Sequence, residues 1–237
     1  MPVTLICLPY AGAGASIFYP WRKLGHEHVV VTPLHLPGRE RLIDEDPFTD
    51  LHRAADALLP QAVTEAGRHD RPVVLFGHSL GAVLAYELTR RLTESGTPVT
   101  GLVVSGSPAP WSPREQRATG LDDDQFLARV EEFAGYRHPA FDDPERRELL
   151  LPTLRADVEM HENYLPSSRE PMAVDVTAVR GTDDELVTAR DLAGWAEVTT
   201  GSFRHVELAG GHMYLTESGQ AVQDLVAGFS AAPSGRS

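Results

Sequence analysis

At 237 residues, 42% of them hydrophobic, the chain is long enough to bury one substantial core, with room for a sizeable insertion. A formal net charge of −13 weighs against nucleic acid and against anionic membrane surfaces as partners. Its one cysteine, Cys7, excludes an intramolecular disulfide framework and suits a reducing compartment, so a soluble cytoplasmic protein is expected.

The chain enters an apolar run at once, Val3 to Leu8. The run is too short to span a membrane and lacks the basic region and cleavage site of a secretory leader. It reads as a first strand. Cys7 sits mid-strand with no His close in sequence, a poor setting for a nucleophile. The loop that follows, Pro9-Tyr10-Ala11-Gly12-Ala13-Gly14-Ala15, is built of small residues. As a dinucleotide fingerprint it fails, because Ile17 occupies the third glycine position and no acid closes the next strand. The better reading is a loop whose backbone approaches a ligand closely and whose N–H groups face a nucleophile.

Phe18 to Leu24 reads as a helix. His28 to Leu34 is a nearly all-apolar strand, expected to be parallel and buried on both faces; Pro37-Gly38 ends it. Just before it, His26-Glu27-His28 reads as exposed loop, and no His-Glu-x-x-His pattern supports a metal. Asp50 to Ala66 is an amphipathic helix with Leu51, Ala55, Leu58 and Leu59 on one side.

The central stretch is Val73-Val74-Leu75-Phe76, a short buried strand, followed by Gly77-His78-Ser79-Leu80-Gly81. A run of helix formers then continues from Ala82 to about Glu94. Strand, sharp turn and helix form the setting in which a Gly-x-Ser-x-Gly serine becomes a nucleophile. So tight a turn strains the backbone of Ser79 and requires glycine where a Cβ would collide. It holds the hydroxyl above the sheet edge, at the positive end of the next helix.

Gly101 to Gly106 is the next strand. Val174 to Arg180 and Phe203 to Leu208 are the last two, separated by the helical stretch Ala189 to Trp195. A closing helix is expected over Ala221 to Phe229, and the polar tail 231–237 is expected to be disordered. Strands alternating with helices predict an α/β fold with a mostly parallel, twisted sheet and helices on both faces. One segment breaks the rhythm. Residues 108–170 carry no strand signal but three helical patterns, Asp123 to Phe133, Asp143 to Leu151 and Leu154 to Tyr164. A helical insertion between core strands reads as a lid over the pocket, with 1–107 and 171–230 as the core.

A serine hydroxyl needs a base to take its proton, and the base needs an acid to hold its tautomer. In α/β-hydrolases they come in the order Ser, Asp/Glu, His. The strand ending at Arg180 runs into Gly181-Thr182-Asp183-Asp184, which seats an acid on the same rim as Ser79. Which of the two aspartates faces inward does not follow from spacing. The last strand leads through Ala209-Gly210-Gly211 to His212, and the glycines let the chain turn so that the imidazole reaches the serine. His205 competes, but it lies within the strand and should point to the face opposite Val206 and Leu208.

With these pieces in place the sequence resembles the type II thioesterases, stand-alone editing hydrolases of polyketide and nonribosomal peptide assembly lines, within the α/β-hydrolase superfamily. The resemblance covers nearly the whole chain. Besides the Ser79, Asp184 and His212 segments it rests on Leu8 to Gly14, Pro37-Gly38-Arg39-Glu40, Asp123 to Leu127 and Leu151-Pro152-Thr153-Leu154-Arg155-Ala156-Asp157. It implies that the second aspartate, Asp184, is the acid, and that the backbone N–H groups of Ala11 and Leu80 form the oxyanion hole. It implies hydrolysis of acyl groups from the phosphopantetheine arm of acyl or peptidyl carrier proteins. The chain itself would need neither metal nor cofactor and would act as a monomer. Carriers are acidic, so a local patch must override the net charge; Arg39, Arg41 and the arginines of the insertion are candidates. Alternatives with the same triad are a small-molecule ester hydrolase and an acyl transferase or cyclase. A hydrolase-fold binding protein with an inactive triad is the non-enzymatic one.

Overall fold

The computed structural model describes residues 1–113, 117–134 and 139–231. Arg114 and Arg137, two of the insertion arginines offered above as docking candidates, and nearly all of the expected tail (232–237) lie outside the described residues.

Six strands form a single sheet in the order β2-β1-β3-β4-β5-β6. They are β1 (Val3–Leu8), β2 (Val29–Pro33), β3 (Val73–His78), β4 (Gly101–Ser105), β5 (Asp175–Gly181) and β6 (Phe203–Leu208). Every adjacent pair is parallel. The apolar runs of β1, β3 and β4 are buried throughout, as strands covered on both faces must be. Side chains alternate between two cores. Val73 and Leu75 join one face, with Leu51, Ala55 and Leu58 of helix α2 (Leu51–Gly67) and Ala82 and Ala85 of helix α3 (Leu80–Glu94). Val74 and Phe76 join the other, with Phe18, Trp21, Val222 and Val226. Phe18, Trp21 and Phe76 meet there edge-on or tilted, with centroids 5.1 to 6.0 Å apart.

β2 departs from expectation. It is parallel, but it forms the sheet's edge and Val30 is exposed; an apolar run does not distinguish an edge strand from a central one.

Short helix α1 (Tyr19–Lys23) follows a 3₁₀ turn over Ala15–Phe18. Asp50 caps α2 by accepting the Arg53 N–H at 2.9 Å. Between β4 and β5 lie helices α4 (Asp123–Ala134) and α5 (Pro144–Glu162). The two helical patterns expected on either side of Pro152 are one continuous helix. Proline removes one backbone donor, and the packing of Leu151, Leu154 and Val158 against Ala118 and Phe126 outweighs that loss. Helix α6 (Ala189–Ala193) is held by a reciprocal cap between Thr188 and Asp191. Helix α7 (Gly219–Ala227) closes the chain. Among the described residues, no helix is long and apolar enough to cross a membrane.

Candidate active site

Ser79 follows β3 directly, with φ 53° and ψ −117°. A non-glycine residue rarely holds such angles unless its surroundings force them. Here the surroundings do. A Cβ on Gly77 would lie 1.8 Å from the Gly81 carbonyl oxygen, and one on Gly81 would lie 2.4 Å from the Leu8 carbonyl oxygen. Leu80 opens α3, so its N–H is one of the helix-end donors that lack an intrahelical acceptor.

Asp184 follows β5. Its side chain is fully buried, and Oδ2 lies 2.9 Å from His212 Nδ1. Oδ1 accepts the backbone N–H groups of Leu186 at 2.9 Å and Val187 at 3.1 Å. Burial pushes this carboxyl up, but the His212 bond and charge, with the two N–H donors, outweigh burial and hold it below its usual range. Asp183 is exposed and receives only a weak bond from the Thr182 hydroxyl at 3.3 Å. The structure thus turns Asp184, not Asp183, toward the histidine. His205 stays on β6, exposed, 3.8 Å from Glu207.

Ser79, His212 and Ala11 line one cavity of about 520 Å³, with Leu154, Val158 and Met213 among its apolar walls. No hydrogen bond joins Ser79 to His212 in this structure; such contacts commonly tighten only when substrate binds. A larger hollow of about 630 Å³ runs along the edge strand β2 and contains none of these residues. Cys7 is buried, and burial pushes its thiol far up, which leaves it unreactive. Arg39 is buried against Asp157, so it is not available to a docking carrier protein, contrary to expectation.

Sequence reasoning missed a buried chain beneath the histidine. His78 Nδ1 lies 2.8 Å from Ser105 Oγ, which lies 2.6 Å from the Tyr214 hydroxyl. The only signals were its neighbours, since His78 precedes Ser79 and Tyr214 lies two residues after His212.

A parallel sheet with helices on both faces, and a serine on a strained strand-to-helix turn that shares a cavity with a histidine paired to an aspartate, is the arrangement of an α/β-hydrolase. The thioesterase domain family matches residues 3–230. The chain belongs to that family and is a hydrolase acting on thioesters. It is 33% identical over 225 residues to the "Probable cadicidin biosynthesis thioesterase" of Streptomyces griseus, covering 95% of this chain and 62% of that protein. It thus spans less than two thirds of that relative's length. RedJ, a thioesterase from the prodiginine biosynthetic pathway of Streptomyces coelicolor, superposes with a TM-score of 0.83 at 32% identity, covering 96% of this chain and 86% of RedJ. YbtT, a type II thioesterase from the yersiniabactin NRPS/PKS pathway, gives a TM-score of 0.85 at 26% identity, covering 97% of this chain and 92% of YbtT.

Proposed function

We propose that the chain hydrolyses acyl groups held as thioesters on the phosphopantetheine arm of carrier proteins, with Ser79 as nucleophile, His212 as base and Asp184 as its orienting acid. The observation that carries this reading is the 2.9 Å contact of Asp184 with His212, which lines the same cavity as Ser79 on its strained turn. The carrier-bound substrate is supported by the pathways named for RedJ and YbtT. The apolar walls suit an acyl chain.

Ser79 Oγ attacks the thioester carbonyl while His212 Nε2 takes its proton. The carbonyl oxygen becomes an oxyanion, met by the N–H groups of Ala11 and Leu80; each such donor lowers the barrier by roughly 3 kcal/mol. As the intermediate collapses, the carbon–sulfur bond breaks and the imidazolium passes its proton to the leaving thiol. Water then attacks the serine ester, again giving its proton to His212. The free acid leaves as that proton returns to Ser79 Oγ. Asp184 stays ionised and stabilises the imidazolium in both halves. Every step draws on side chains, backbone and water; phosphopantetheine enters only as part of the substrate. Residues 108–170, with α4 and α5, act as a lid over the acyl pocket, and the reaction takes place in the cytoplasm where carriers are loaded.

Incubating Ser79→Ala with acyl-carrier protein tests the reading. The variant should release no acid above background, and undiminished hydrolysis would overturn the proposal. Wild-type turnover should also be faster on acyl-carrier protein than on free acyl-phosphopantetheine.

A further inference from the structure

Two sequence segments that supply no member of the Ser-His-Asp set, Pro37 to Glu40 and Leu151 to Asp157, meet around the loop after β1. Asp157, on α5, is fully buried. Its Oδ2 accepts the Gly12 N–H at 2.7 Å and one Arg39 Nη at 2.7 Å, and its Oδ1 accepts the other Nη at 2.7 Å. The same guanidinium donates to the Ala13 carbonyl at 2.9 Å and, through Nε, to the Pro37 carbonyl at 3.1 Å. Four residues earlier on α5, Thr153 donates to the Gly38 carbonyl at 2.6 Å. Gly12 has φ +76°, and a Cβ there would lie 2.9 Å from Leu154 Cδ1, so the loop presses directly on α5.

We propose that Asp157 and Arg39 are positioning residues for the oxyanion hole. Together they brace the Tyr10–Ala13 loop against α5, and thereby fix the direction of the Ala11 N–H. This rests on the reading of Ala11 as an oxyanion donor given above. Gly12 and Ala13, the two residues after Ala11, are both held, one by its N–H and one by its carbonyl. The Ala11 N–H lies in the peptide plane it shares with the Tyr10 carbonyl, and that carbonyl accepts the Ala13 N–H at 3.1 Å; with Gly12 and Ala13 held by the ion pair, this plane has little freedom to rotate. The pairing also answers an electrostatic problem. A lone carboxylate buried beside the loop would oppose negative charge developing on the substrate oxygen, whereas the two-pronged guanidinium neutralises it while leaving one lone pair for Gly12. An ion pair that merely stabilised the fold would have no reason to share its acceptor with this loop. The arrangement also ties the inserted segment to the chemistry, since the carboxylate that braces the loop comes from α5.

The test uses the full chain with Asp157→Asn, which keeps the shape of the side chain but removes its charge and one acceptor, and Arg39→Lys, which keeps the charge but not the fork. kcat and KM are measured on acyl-carrier protein. Affinity is measured for an acyl trifluoromethyl ketone, whose carbonyl takes up Ser79 Oγ and places an oxyanion in the hole, and for the matching methyl ketone, which binds without forming that adduct. Thermal unfolding confirms that each variant is folded at the assay temperature. Misplacing a group near the reacting centre by about 1 Å lowers rate on the order of 100-fold. kcat and trifluoromethyl ketone affinity should therefore fall together by roughly 10- to 100-fold, with KM and methyl ketone affinity changed by less than about threefold. If Asp157→Asn does not fold, Arg39→Lys carries the test alone. Folded variants with unchanged kcat overturn the proposal, as does a loss confined to KM or one that leaves trifluoromethyl ketone affinity unmoved. Ser79→Ala run alongside keeps the two readings apart. An inactive Ser79→Ala beside a fully active Asp157→Asn removes only the bracing role, whereas an active Ser79→Ala removes the reading of the site itself.

Discussion

The His78 ring lies tilted against the His212 ring with centroids 4.8 Å apart, and it reaches away from it to Ser105. Burial, and then the charge of His212, hold the His78 imidazole well below its usual range, so it is neutral at pH 7. A second cation beside an imidazolium would destabilise the charged intermediate, and a buried, neutral ring avoids this.

This gives a pH prediction with a definite sign. In the unfolded chain His78 titrates near about 6.5. Below that pH the unfolded chain takes up a proton that the folded chain refuses, so stability falls as pH drops, by at most about 1.4 kcal/mol per pH unit from this group. His78→Gln retains a polar side chain for Ser105 and removes the titration. Urea unfolding between about pH 5 and 7 should show a shallower slope for the variant. His35, which burial also lowers, contributes equally to both chains. Parallel slopes would refute the assignment.

Asp184 and Asp183 are adjacent but differ in what they touch. Asp184→Asn loses the acceptor that fixes the His212 tautomer, and kcat should fall on the order of 10⁴-fold with KM little changed. Asp183→Asn, whose side chain meets only Thr182, should stay within about twofold of wild type. Steady-state kinetics on both variants decides the matter; comparable losses would remove the distinction drawn from the geometry.

The turn at Ser79 tolerates no added carbon beneath it. Gly77→Ala places a methyl 1.8 Å from a backbone oxygen of α3. Neither atom is the end of a flexible side chain, so the strand and helix must part. We expect a loss of about 3 kcal/mol or more in unfolding free energy, and labelling of Ser79 by an alkyl fluorophosphonate slowed more than in proportion to the unfolded fraction. Wild-type labelling in a stable Gly77→Ala protein would show that the strain is dispensable.

Glu87 is a carboxylate buried inside α3. It accepts the Tyr164 hydroxyl at 2.9 Å, the Ser167 N–H at 2.9 Å and hydroxyl at 2.7 Å, and Arg91 at 2.8 Å. Arg90 meanwhile donates to the Glu170 carbonyl at 2.6 Å. The segment leaving α5 is thus fastened to the core. Glu87→Ala removes the shared acceptor of the Tyr164 hydroxyl and of the Ser167 N–H and hydroxyl, while Arg91 keeps Asp56 at 2.6 Å, and should cost about 3 kcal/mol by chemical denaturation. A change under about 1 kcal/mol would mean that water replaces the carboxylate freely.

Much of the fold was legible because its cause is local. β1, β3 and β4 are continuous apolar runs bounded by turn residues, and the burial they predict is what the sheet shows. The seats of Ser79, of the Asp183-Asp184 pair and of His212 followed from the rule that loops after parallel strands share one rim, while the choice of Asp184 rested on the family resemblance. What was not legible depends on contacts between distant segments. Nothing local marks β2 as an edge, and Pro152 resembles a stop until the packing of α5 is known. Arg39 looked like a surface charge because its partner lies 118 residues away. The Ser105–Tyr214 contact under His78 spans 109 residues and leaves no periodic trace.

β4 and β5 are hydrogen-bonded neighbours, yet some seventy residues separate them along the chain. The pairing across that seam is made by the backbones of the two strands themselves. On the function proposed above, altering that stretch changes walls of the cavity that Leu154 and Val158 line while Ser79 and His212 stay on the core strands' loops, provided an acid remains where Asp157 stands. A designer grafting another insertion at this seam should carry over that one carboxylate along with the new walls.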